Sequence, residues 1–221
     1  MFATLFDFDG VLVDSEPIHL AAFNDVLRTC DRWIDPRSYV ERYLSLDDAG
    51  VFRALLESHE RTLSDSELAR LIEAKSGRVM ALLDKQVPAY SGASELVLRR
   101  AARGPVGIVS GALDREIAFA LSRMGVRDAV SFIISAESTE VSKPDPAPYR
   151  AALAELRRRE QGGNVVAIED SLGGIRSAKS AGLRCVAVAH TYDSRELSEA
   201  GADAVAPNLL ALSDALIESG Q

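Results

Sequence analysis

The chain opens on an almost unbroken apolar run, Phe2 to Phe8, interrupted only by Thr4 and Asp7. A short run of this kind predicts a buried strand, here ending on two carboxylates, Asp7 and Asp9. Gly10 breaks it, and a second apolar run, Val11 to Val13, carries the chain away. From Ser15 to about Gln86 no strand pattern is evident. Ser15 or Glu16 before Pro17, and Asp35 before Pro36, place proline at the first position of a helix. Ser64 with Glu67 three residues on is a capping box, and Leu68, Leu71, Ile72, Val79, Leu82 and Leu83 follow at helical spacing.

Past Gln86-Val87-Pro88 and Tyr90-Ser91-Gly92 strands and helices alternate. Strands are predicted at Val106 to Val109, Val130 to Ile134, Val165 to Ile168, Arg184 to Val188 and Ala202 to Val205. Helices are predicted at Asp114 to Met124, from Asp145-Pro146 to about Glu160, after Glu169-Asp170 to Ala181-Gly182, and from Leu209 to Glu218. Such alternation implies an α/β fold, a Rossmann-like parallel sheet with helices on both faces. The expected organisation is a core of residues 1–14 and 87–221 with an inserted all-helical domain, 15–86.

Composition narrows the classes without naming one. With 221 residues, 47% hydrophobic and 26% charged, the chain can bury a sizeable core. A net charge of -8 argues against nucleic acid or an anionic membrane as partner, but not against a phosphorylated metabolite met by a local cation cluster. Cys30 and Cys185 lack metal-ligand spacing and read as free thiols. The first residues carry no basic signal-peptide pattern, and no apolar run reaches membrane-span length, so a cytoplasmic protein is expected. A monomer or weak homo-oligomer is the expected assembly.

The chemistry sits at strand ends. Residues two apart on an extended chain point the same way, so Asp7 and Asp9 crowd their charges and need a cation or a proton. With a divalent cation, one carboxylate can be a nucleophile and the other a proton carrier, the requirement for phosphoryl transfer through an aspartyl-phosphate. Ligands of open parallel sheets bind beyond the carboxyl ends of the strands, where Ser110, Glu169 and Asp170 also fall, with Lys143 in another such loop. Asp7 and Asp170 offer hard oxygens to Mg²⁺, and Glu169 a further ligand or a hold on a metal-bound water. Ser110 offers a hydroxyl, Gly111 and Ala112 backbone amides, and Lys143 a charge for a phosphoryl group. Each has a plainer reading as well: Asp before Gly closes turns, Ser-Gly is a common turn, and Glu169-Asp170 can cap the following helix.

Taken together in this order, DFDGV at 7–11, IVSG at 108–111, SKPDP at 142–146 and AIEDS at 167–171 resemble the four motifs of the haloacid dehalogenase superfamily of phosphotransferases. The resemblance implies Asp7 as nucleophile and Asp9 as general acid/base. It also implies Mg²⁺ on Asp7, the backbone carbonyl of Asp9, and Asp170, with Glu169 close by. The helical stretch falls where one subgroup, similar to β-phosphoglucomutase and phosphoglycolate phosphatase, inserts its cap. In that subgroup Lys75 and His19 match substrate-facing positions, although Lys75 on an apolar stripe also reads as a stem with its ammonium in water. Where the mutases have an arginine for a second phosphate, this chain reads Leu44 to Asp48 with two acids, which favours a phosphatase over a mutase. The expected activity is Mg²⁺-dependent hydrolysis of a sugar phosphate or short phospho-acid. A phosphomutase and a non-catalytic binding module are the alternatives.

Overall fold

A computed structural model describes residues 2–44, 46–57, 62–161 and 163–219. The chain forms two compact units, Met1–Asp14 with Pro88–Gln221, and Ser15–Val87. Strand β1 (Phe2–Phe6) belongs to the first. The second holds α1 (Glu16–Leu27), a turn α2 (Pro36–Ser38), α3 (Asp48–Leu56) and α4 (Asp65–Lys85). Asp35 and Asp47 cap α2 and α3, accepting from the amides of Ser38 (3.0 Å) and Gly50 (2.8 Å), and Ser64 with Glu67 closes the capping box on α4. Phe23, Leu27, Tyr39, Phe52 and Leu68 share this unit's core, with Phe23 and Phe52 edge to face at 5.3 Å between ring centroids.

After α5 (Ala93–Ala101) the first unit alternates: β2 (Val106–Val109), α6 (Asp114–Arg123), β3 (Phe132–Ile134), α7 (Ala147–Arg158), β4 (Asn164–Glu169), α8 (Leu172–Ser180), β5 (Arg184–Val188), α9 (Ser194–Glu199), β6 (Ala204–Ala206) and α10 (Asp214–Glu218). The six strands form one parallel sheet in the order β3-β2-β1-β4-β5-β6. Purely parallel sheets need cover on both faces, and alternate strand residues supply it. Leu5, Val109, Ala167 and Cys185 pack with Tyr149 of α7, Ile175 of α8 and Leu197 of α9. On the other face, Thr4 Oγ1 accepts from Arg100 Nε of α5 at 3.0 Å. The fully buried Arg100 guanidinium also pairs with Asp214 (2.9 Å) and Glu218 (2.6 Å), tying α5 to α10.

Three details depart from the sequence pattern. The first strand ends at Phe6, and residues 8–13 fold into a tight buried loop in which the amides of Leu12 and Val13 both donate to Phe8 O (2.9 and 3.1 Å). The stretch from Leu209 to Glu218 is not one helix. A 3₁₀ turn, Leu209–Ala211, ends at Leu212 with ψ 86°, and Ser213 caps a new start through Leu216 N at 3.1 Å. Helices α5 and α9 lie where no element was expected. Among the described residues, no helix is long and apolar enough to cross a membrane.

Candidate active site

The strand order reverses between β1 and β4, and in open parallel sheets ligands bind beyond the carboxyl ends of the strands at such a point. Asp7 stands there because its amide continues the ladder onto Ile168 O at 2.9 Å. The chain then turns through Gly10 at φ +79°, and Gly10 N donates to Val13 O at 2.8 Å. A side chain at position 10 would also put its Cβ 2.0 Å from Asp170 Oδ2, so only glycine lets the loop lie against that carboxylate.

Lys143 reaches in from the loop after β3 and spends all three N–H bonds: on Asp7 Oδ1 (2.9 Å), Val109 O (2.8 Å) and Glu169 Oε1 (2.7 Å). Glu169 is fully buried. Its Oε1 also accepts from Tyr149 OH (2.8 Å), and its Oε2 from Ser171 Oγ (3.2 Å) and Asp170 N (3.3 Å). Ser110 Oγ donates to Asp9 Oδ2 at 3.1 Å and accepts from Ala112 N at 3.0 Å, so that amide is engaged within the loop; Gly111 beside it borders open space. Asp170 receives the Thr191 hydroxyl on Oδ2, while its buried Oδ1 has no hydrogen-bond partner among the described residues.

These positions gather Asp7, Asp9, Ser110, Lys143, Glu169 and Asp170 at one edge of the sheet. His19 and Lys75 lie in the other unit. There Lys75 is buried, its ammonium donating to Asp48 Oδ1 (2.8 Å) and to His19 Nδ1 (2.6 Å), 4.9 Å from the Phe23 ring centroid. The ammonium is thus out of water, unlike a stem laid on the surface.

The electrostatics of the sheet edge ask for more positive charge. Burial pushes the Asp7 carboxyl up to about 8; Lys143 pulls it down, while Glu169 and Asp9 push it further up. Burial likewise raises Asp170 well above the carboxylate range, helped by the charges of Asp7 and Glu169. Burial disfavours the Lys143 ammonium, but Asp7 and Glu169 overcome that and hold its pKa above the ordinary value. Carboxylate oxygens of Asp7, Glu169 and Asp170 come within 4.8 Å of one another. One lysine cannot neutralise three carboxylates, so the cluster must keep protons or take a cation. The orphaned Asp170 Oδ1 is the kind of hard oxygen a divalent cation accepts, and the donor set fits such an ion.

Tyr149, His190 and Thr191 were not foreseen. Tyr149 falls on the apolar stripe of α7 and reads as core. Thr191 and His190 follow a predicted strand, β5, so the rule that locates Asp7 and Asp170 also points to them.

A family model described as haloacid dehalogenase-like hydrolase matches residues 4–188. Protein CbbY of Cereibacter sphaeroides is 30% identical over 208 residues, covering 91% of this chain and 89% of the relative. The phosphorylated carbohydrates phosphatase of Thermotoga maritima is 29% identical, covering 93% of this chain and 94% of that protein. A crystal structure of a CbbY variant from Rhodobacter sphaeroides in complex with xylulose 1,5-bisphosphate superposes with a TM-score of 0.78 at 26% identity, over 93% of each chain.

Proposed function

The chain belongs to the haloacid dehalogenase-like hydrolase family, and from that premise we propose that it is a Mg²⁺-dependent phosphatase of a small phosphorylated carbohydrate, acting through an aspartyl-phosphate on Asp7. The observation that carries this reading is the buried Asp7 carboxylate, held by Lys143 at 2.9 Å beside the unpartnered oxygen of Asp170. Two curated relatives matching nearly the whole chain, one named for phosphorylated carbohydrates, support the substrate class.

Asp7, with Oδ1 on Lys143, attacks phosphorus through its second oxygen, and the P–O bond to the leaving group breaks in line. Asp9, oriented by the Ser110 hydroxyl on Oδ2, gives its proton to the departing alkoxide. Asp9 then takes a proton from water, whose oxygen attacks phosphorus and releases inorganic phosphate and free Asp7. Lys143 stays charged throughout and stabilises the phosphoryl oxygens, while Glu169, gripped by Tyr149 and Ser171, fixes where that ammonium points. A Mg²⁺ ion bound by Asp7 and Asp170, with Glu169 close by and the Asp9 carbonyl as a further ligand, would neutralise charge on phosphate.

A mutase needs a cation for the distal phosphate of its bisphosphate intermediate. Lys75, the cation the sequence offers, is already paired with Asp48 at 2.8 Å, which supports hydrolysis over transfer. The test is hydrolysis of an aryl phosphate with Mg²⁺ and after chelation, followed by a panel of sugar phosphates. Turnover unaffected by chelation would overturn the metal-dependent reading. Rapid isomerisation of a sugar phosphate without phosphate release would overturn the phosphatase reading.

A further inference from the structure

The loop leaving β5 makes two contacts that the mechanism above does not use. Strand β5 is hydrogen-bonded to β4 and is not a neighbour of β1, yet residues 190 and 191 reach back across the end of β4 to the loop after β1. Thr191 places its hydroxyl on Asp170 Oδ2. His190 places Nδ1 2.8 Å from Gly10 O. A carbonyl only accepts, so Nδ1 carries the proton and donates. The imidazole is stacked on Tyr90, centroids 3.9 Å apart and planes 23° from parallel, which fixes the ring's direction.

Gly10 and Asp170 touch each other, as the 2.0 Å approach of a hypothetical Cβ shows. One dipeptide thus holds both sides of the contact between the nucleophile loop and the acid at the end of β4. The torsion that turns a carboxylate about its last carbon bond is soft, so an Asp with one free oxygen must be fixed from outside. The Thr191 hydroxyl occupies Oδ2 and leaves Oδ1 as the buried oxygen without a partner.

We propose that His190 and Thr191 are positioning residues for the divalent cation: Thr191 makes Asp170 a one-oxygen ligand through Oδ1, and His190 locks the Gly10 carbonyl so that the loop carrying Asp7 and Asp9 keeps its place against it. The proposal rests on the metal-dependent reading above. Outer partners of ligating carboxylates act by orientation, and their loss costs roughly 10- to 100-fold in metal affinity.

Isothermal titration of the metal-free protein with Mg²⁺ tests this without any turnover. Thr191→Val keeps the shape and loses the hydroxyl, so its Mg²⁺ dissociation constant should rise about 10-fold or more, while Thr191→Ser restores binding to near the unaltered value. His190→Ala should weaken Mg²⁺ similarly, and His190→Asn, whose amide N–H can stand in for Nδ1–H, should recover it. A merely structural role would lower the metal-free melting temperature and leave the dissociation constant alone. Thr191→Ala serves should the valine variant not fold. Absence of Mg²⁺ binding to the unaltered protein would overturn the metal-dependent reading and this inference with it. Binding to the unaltered protein and to Thr191→Val within about twofold of each other would overturn this inference alone.

Discussion

Two neighbouring glycines on α8 offer a controlled perturbation of the site. A Cβ on Gly174 would lie 2.0 Å from Glu169 Oε2 and 2.1 Å from both Cδ and Oε1, whereas a Cβ on Gly173 would meet nothing within 4 Å. Ordinary van der Waals separation begins near 3.4 Å, so Gly174→Ala must push the Glu169 carboxylate away by over an ångström. That carboxylate holds Lys143 at 2.7 Å and Tyr149 at 2.8 Å, and neither bond survives such a shift. Overpacking a dry site costs roughly 1–3 kcal/mol, and breaking a buried ion pair by removing one partner, the upper bound, about 3–5 kcal/mol. Alanine returns up to ~1 kcal/mol over glycine in a helix. The net loss is therefore about 2–3 kcal/mol, which in a protein of this size lowers Tm by roughly 5–10 °C. Lys143 would lose its guide toward Asp7, and a misplacement on the order of 1 Å costs about 100-fold in turnover. Gly173→Ala should be neutral or slightly stabilising on both measures. Thermal unfolding followed by circular dichroism and kcat/KM on an aryl phosphate give the comparison. Equal stability and activity in the two variants would refute the role assigned to Glu169.

Asp7→Asn should abolish turnover with the fold intact, because the amide neither attacks phosphorus nor carries charge; near-normal phosphate release would sink the covalent route. Lys143→Met should cut kcat by roughly 10²- to 10³-fold and lower metal-free stability by about 3–5 kcal/mol, since Glu169 keeps a buried charge without its cation; urea unfolding without metal measures the second effect. Asp7 titrates near 8 in the fold against 3.8 when unfolded, so the folded metal-free protein binds more protons between those values. Its stability should therefore fall as pH rises from about 4 to about 8, with Asp170 acting in the same direction, and saturating Mg²⁺ should flatten the slope. A metal-free Tm that rises steadily across that window would contradict the burial of these acids.

Much of the sheet edge was legible because it follows from two local facts. Parallel strands bury apolar runs, and whatever polar group ends such a run stands at the ligand edge. Asp7, Ser110, Glu169 and Asp170 are found this way, and Lys143 by its place in a loop after a strand. The partners that fix them are not local. Tyr149 sits four residues along from Asp145 on an ordinary amphipathic helix, and only the tertiary fold turns its hydroxyl onto Glu169. Gly174 looks like a helix weakener until the carboxylate beneath it is seen. The helix from Leu209 onward was misread because its apolar spacing hides the break at Leu212, where Ser213 supplies a second cap.

The helical unit shows the same limit for charge. Read along the chain, Lys75 is a lone cation on an apolar stripe, and Asp47 and Asp48 form an acidic patch that would repel a second phosphate. In the fold each of these groups already has a partner. Asp47 Oδ1 accepts the amide of Gly50 as a helix cap, and Asp48 Oδ1 takes the Lys75 ammonium at 2.8 Å. A buried ammonium without a partner costs several kcal/mol, so the lysine on the stripe and the acid in the loop explain each other. His19 accepts a second Lys75 N–H at 2.6 Å, which makes its Nδ1 the unprotonated nitrogen and the imidazole neutral. The ammonium and the Asp48 carboxylate then balance each other's charge, with the imidazole neutral beside them. Asp48→Asn keeps a hydrogen-bond acceptor while removing the countercharge. If the ion pair holds Lys75 back from substrate, that variant should lower KM for sugar phosphates several-fold and leave aryl phosphate hydrolysis unchanged; an equal change on both substrates would show that the pair is only part of the unit's core.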